Sequence, residues 1–175
     1  MSVSVLNSFK TGLICFFILL LPSIQSCKVY SFTGASISPD IKTANVKFFT
    51  NISPLAPPTL TQTLTEALKD KLNSQTSLSL VRSGGDLTYE GQITNYVTNP
   101  IAIQGNEVAA SNRLTLTVSI KFINAKDERQ NFEKSFTRFA DFPSSSSLTA
   151  VEPSLIDEIK QQLIQDIFNA SIANW

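Results

Sequence analysis

Along residues 114–122 apolar and polar side chains alternate without a break, with Leu114, Leu116, Val118, Ile120 and Phe122 on one side and Thr115, Thr117, Ser119 and Lys121 on the other. A period of two belongs to a strand with one buried face. The same period, more weakly expressed, sets Ala44, Val46 and Phe48 against Asn45, Lys47 and Phe49, and puts Leu87, Tyr89, Ile93 and Val97 on one face of a strand that Pro100 ends. A short strand precedes the latter, joined to it through a Gly84-Gly85 turn. Phe132, Phe136 and Phe139 mark a further strand, and their change of parity predicts a bulge. Elsewhere the period is helical. Leu60, Leu64, Ala67, Leu68 and Leu72 form one stripe, with Thr59 or Thr61 as its cap, after an elbow made by Pro54, Pro57 and Pro58. Leu155, Ile156, Ile159, Leu163, Ile167 and Phe168 form a second stripe, with Pro153 in its first turn.

The order strand, helix, several strands, helix predicts an α+β fold in two layers: two helices packed on one face of a mixed, four- to five-stranded sheet. Leu163, Ile167 and Phe168 are expected against Leu116, Val118 and Ile120, with Trp175 in the same core. The other face of the sheet then carries Thr, Ser, Gln, Lys and Arg. A half-solvated antiparallel sheet has such a face without any further role, so the pattern alone does not assign it one.

Residues 1–26 stand apart from this pattern. The apolar run from Leu13 to Leu21 follows Lys10, the sole charge before Cys27, and Pro22 breaks it. It is too short for the roughly 20 apolar residues that cross a bilayer. Its flanks are those of a secretory signal peptide. Ile24-Gln25-Ser26-Cys27 resembles a bacterial lipobox, whose cysteine receives lipid and becomes the mature N-terminus; the other reading is a plain secreted chain that keeps a cysteine near its cleavage site. Residues 27–40 then form a lipidated N-terminal tether, and residues 41–175 a single domain. Cys15 leaves with the signal peptide, so the mature chain has no second thiol with which to close a disulfide.

Composition removes several function classes. Lys and Arg total 14 and Asp and Glu total 14, so no net field draws the chain to nucleic acid. There is no histidine, which excludes Ser-His-Asp and Cys-His catalysis and histidine-ligated zinc. Asp127-Glu128 and Asp157-Glu158 read as solvated charges in a turn and in an early helical turn. Gly84-Gly85-Asp86 lacks the Lys-Ser/Thr of a phosphate loop. The sequence therefore points away from an enzyme, and it calls for no cofactor or metal.

The phrases "CKVYSFTGASISPDIKTANVKFFTN", "GDLTYEGQITNY", "PIAIQGNEVAASNRLTLTV", "SFTRFADF" and "IFNASIANW" resemble the LptE family, the lipopolysaccharide-assembly lipoproteins of Gram-negative outer membranes. The resemblance runs from Cys27 to Trp175. It implies an outer-membrane lipoprotein on the periplasmic face that plugs the LptD β-barrel translocon, helps it assemble and binds lipopolysaccharide for delivery to the outer leaflet. It also implies two helices on a mixed sheet. A plug in a polar barrel lumen needs a polar outer surface, and Thr115, Thr117, Ser119, Thr94 and Gln92 provide one. Lys121, Lys134 and Arg138 lie on strands expected to be neighbours and are candidates for a patch that meets lipid phosphates or acidic sugars. Plain strand solvation is their other reading. A periplasmic small-ligand or adhesion lipoprotein sharing only the fold is the alternative for the chain as a whole.

Overall fold

The computed structural model describes residues 37–101 and 111–173. The first strand, β1 (Thr43–Val46), buries Ala44 and Val46 and stops there. Lys47 then donates its backbone N–H to the Tyr89 carbonyl (2.9 Å), and the chain shifts parity by one residue. The expected alternation is thereby reversed: Phe48 is 61% exposed and Phe49 is buried. The cause lies in a neighbouring strand. The Phe49 ring occupies the space above Gly91, where a Cβ would come within 2.4 Å of it. A two-residue strand, β2 (Thr50–Asn51), follows.

Helix α1 (Leu60–Gln75) buries Leu60, Leu64, Leu68 and Leu72 at strict four-residue spacing, the geometry of one face of a 3.6-residue helix. Neither threonine caps it as expected. Thr59 occupies the N-cap position without a side-chain cap bond, and the Thr61 hydroxyl donates to Pro58 O. The working hydroxyl is that of Thr65, which donates to Thr61 O (2.6 Å) and accepts the backbone N–H of Phe49 (3.0 Å), tying helix to sheet. Strand β3 (Ser79–Leu80) pairs parallel with β1, and β1 in turn pairs parallel with β4 (Leu87–Ile101). The Gly84-Gly85 turn is thus not a hairpin, because β1 lies between the strands it joins. Gly84 takes φ 69°, open to glycine without strain. At Gly85 a Cβ would meet Asn45 N at 2.8 Å.

Strands β4, β5 (Ser111–Asn124) and β6 (Phe132–Pro143) form an antiparallel meander. The bulge falls in β4, between Ile93 and Asn95, and not in β6 as the phenylalanines predict. It turns Tyr96, in place of Val97, toward the core. Pro100 does not end β4, since it still pairs with Asn112. In β6 the register with β5 is unbroken, so Phe136 faces inward while Phe139 faces outward, 46% exposed. Helix α2 (Leu148–Phe168) starts earlier than expected, which puts Pro153 inside the helix rather than in its first turn; a π turn (Asn169–Ala173) extends it.

The sheet has the order β3-β1-β4-β5-β6, with β2 pairing β4. Among the described residues it has six strands; the one beyond the four to five expected is β2, whose two residues leave no periodicity to read. The two-layer α+β class is as expected. One core contains the helix leucines and isoleucines with Leu114, Leu116, Val118 and Ile120, and among them Tyr89 donates its hydroxyl to Ser171 Oγ (3.0 Å). Trp175 lies outside the described residues.

Candidate functional site on the outer face of the sheet

The helices cover one face of the meander, and the other presents cross-strand rows set by register. Gln92, Ser119 and Ser135 make one row, Asn95, Thr117 and Thr137 the next, and Glu90, Lys121 and Glu133 a third. Residues directly opposite on adjacent strands share a face, so these rows follow from pairing alone. The Thr117 and Thr137 hydroxyls are 3.0 Å apart, and Gln92 Nε2 donates to Thr50 Oγ1 at 3.4 Å. At one end Arg113 donates two bonds to Asp141 (2.7 and 2.8 Å), with its guanidinium 3.6 Å from the centroid of the Phe139 ring. This face is therefore hydroxyl and amide in its middle and charged at its ends.

The charged row is self-neutralising. Lys47 Nζ lies 2.6 Å from Glu90 Oε1, and that hydrogen bond holds the Glu90 carboxyl below the usual range, with the charges of Lys47 and Lys121 adding to it. Asp141 is lowered likewise by its hydrogen bond from Arg113. A shallow depression of about 270 Å³ lies along this row and includes Thr50, Glu90, Gln92, Ser119 and Lys121 in its lining. Surface pairs of this kind contribute about 0–1 kcal/mol each. They set the pattern of the surface more than its stability.

Of the three cations singled out from sequence, only Lys121 is on this face, between Glu90 and Glu133, whereas the expected Thr115, Thr117, Ser119 and Gln92 share it. Lys134 pairs with Ile120 and Arg138 with Leu116, so both project on the helix side of β6. There Lys134 Nζ lies 5.3 Å from the Phe136 ring centroid, while Arg138 donates two bonds to Asp166 of α2 (2.6 and 2.9 Å). The three cations do not gather into one patch. The reason is parity: the unbroken register opposes Lys121 to Glu133, which turns the even-numbered positions of β6 the other way. Glu90 and Glu133 were missing from the sequence reading; only strand register reveals them as the partners of Lys121. Cys27, the candidate lipidation site, lies outside the described residues, and among those described no group of acidic or cysteine side chains is placed to hold a metal.

Residues 41–171 match the family model LptE, described as lipopolysaccharide-assembly. No curated protein matches the chain. Among solved structures, a hypothetical protein of Chlamydia trachomatis is similar with a TM-score of 0.52 at 9% identity, covering 77% of this chain and 99% of that one. A protein of Xanthomonas campestris is similar with a TM-score of 0.50 at 12% identity, covering 76% and 87%. The rare lipoprotein B of Shewanella oneidensis is aligned over 72% of this chain and 89% of that one, with a TM-score of 0.47 at 12% identity. At such identities the likeness to the first two is one of fold.

Proposed function

As the chain belongs to the LptE family of lipopolysaccharide-assembly lipoproteins, we propose that it is lipidated at Cys27, is held at the periplasmic face of the outer membrane, and plugs an LptD-type β-barrel while binding lipopolysaccharide for delivery to the outer leaflet. The observation that carries the barrel reading is the polar outer face. A sheet face without a helix layer must meet either water or a polar wall, and a large barrel's lumen is polar. Hydroxyls and amides such as Thr117, Thr137, Ser119 and Gln92 exchange hydrogen bonds with either at little cost, and so suit a surface that must fill a wet lumen. The role is one of binding and assembly rather than catalysis.

The experiment is co-purification from outer membranes with a β-barrel partner. Thr117→Arg/Ser119→Arg places two long charged side chains in the middle of the face without touching the core, so the variant is expected to fold, remain lipidated and lose the barrel. Retention of the barrel by this variant would remove the outer face from the interface. Failure of the unaltered protein to retain a barrel would remove the plug reading altogether.

A further inference from the structure

We propose that the groove between β1, β3 and the flank of α1 binds a phosphate-bearing acyl amphiphile, an inference that rests on the lipopolysaccharide-binding reading above and gives it a site. The groove has a volume of about 490 Å³; Val46, Phe48, Leu80 and Val81 supply its apolar lining, and Lys47, Lys69 and Arg82 its cations. Phe48 is 61% exposed and Leu80 39%. Isolated exposed hydrophobics are ordinary, but two of them lining one basic groove are a more specific arrangement.

The cations are available. Arg82 makes no hydrogen bond or ion pair with any described residue. Lys47 and Lys69 are held only by exposed pairs, with Glu90 at 2.6 Å and Glu66 at 2.9 Å, and neither carboxylate lines the groove. Exposed pairs are weak enough for an ammonium to turn to a phosphate instead. The planar guanidinium of Arg82 presents a fork that matches two phosphate oxygens. By contrast, Lys121 is flanked by two carboxylates and Arg138 is clamped by Asp166.

The mixed lining selects the ligand class. Inorganic phosphate would leave Phe48 and Leu80 in water, and a neutral acyl chain would leave Arg82 without a partner. A molecule carrying both a phosphate and an acyl chain satisfies both halves of the groove. Among the described residues β3 is the edge strand of the sheet, and none of them adds a further strand on this side.

The test is calorimetric titration of the purified chain with lipopolysaccharide and with monomeric dihexanoyl phosphatidic acid, beside dihexanoyl phosphatidylcholine and inorganic phosphate. Lipopolysaccharide and phosphatidic acid are expected to bind, and the other two more weakly. Lys69→Gln/Arg82→Gln should weaken both of the former by about tenfold or more, the loss of at least one charge-assisted contact. Phe48→Ser should weaken them too, with melting temperatures close to that of the unaltered chain because all three side chains are at the surface. Lys121→Gln/Lys134→Gln should bind as the unaltered chain does. If the groove variants bind lipopolysaccharide normally, the groove is overturned while lipopolysaccharide binding stands; a loss confined to the Lys121/Lys134 variant would move the site to β5 and β6. Equal binding of inorganic phosphate would overturn the amphiphile. Absence of lipopolysaccharide binding by the unaltered chain would remove both readings.

Discussion

Asp86 stands at the entrance to β4 and holds β1 in place. Its Oδ2 accepts from the backbone N–H groups of Lys42 and Thr43 (3.0 Å each) and from Thr43 Oγ1 (2.8 Å), while Lys126 Nζ lies 3.3 Å from Oδ1. These bonds, that from Lys42 N–H foremost, hold its carboxyl well below the usual carboxylate range. A depressed pKa in the folded state contributes stability that is fully present above the unfolded value, and is lost as the pH falls toward the folded one. Asp86→Asn is therefore expected to melt at a lower temperature at neutral pH, with the gap from the unaltered protein narrowing once the pH drops below about 4. Melting curves followed by circular dichroism across that range measure it, and a gap that stayed constant would show that the charge is not what matters. Sequence shows Asp86 only as the end of a Gly-Gly-Asp turn, because its partners are forty or more residues away in the chain. Phe49 was hidden for a related reason. Its inward turn depends on the empty space over Gly91, which belongs to another strand.

Among the elements, α2 carries the sharpest expectation. Phe168 is buried in the core at its end, with Lys71 Nζ of α1 5.5 Å from its ring centroid, so one side chain belongs to the core and to the helix pair. Phe168→Ala should cost about 3–5 kcal/mol, as deletion of a buried aromatic ring does. Glu158→Ala, on the exposed side of the same helix, should stay within about 0.5 kcal/mol. Urea unfolding of both variants checks the contrast, and a Phe168 effect as small as the Glu158 one would overturn the packing. Both helices and the long strands were legible because their burial repeats at 3.6 or 2 residues over many positions. Boundaries were not. The start of α2 at Leu148 has no side-chain cap to announce it, and the β4 bulge shows only through its partner strand.

For the molecule as a whole, a net charge of zero conceals a sorted surface: paired charges and hydroxyls on the outer face, and an uncommitted Arg82 beside Phe48 and Leu80 at one edge. Function at this scale also depends on where the chain is held. A single acyl chain binds a membrane only marginally, at about 0.8 kcal/mol per buried methylene, whereas several on one cysteine make a lasting anchor. If Cys27 carries the proposed anchor, Cys27→Ser is expected to move the protein from the membrane to the soluble fraction in cells that lack the proposed barrel partner. Fractionation and immunoblotting measure this, and a variant still in the membrane fraction would show that Cys27 is not the anchor.

What the amino-acid sequence determined by itself was what repeats over many positions or is written in one short phrase: two amphipathic helices, the inward face of β5, the signal-like pattern ending in a cysteine, the absence of histidine and the family phrases. Each is written within a few residues of itself, where backbone geometry converts spacing directly into a face. The tertiary structure decided what depends on register between distant segments. Lys121 opposite Glu133 rather than beside Lys134, Arg138 clamped to Asp166, and Lys69 lining one groove with Arg82 all follow from how strands and helices are set against one another. In a sheet a shift of one residue exchanges the two faces, so no reading of β6 in isolation could say which of its charges meet the core side and which the solvent.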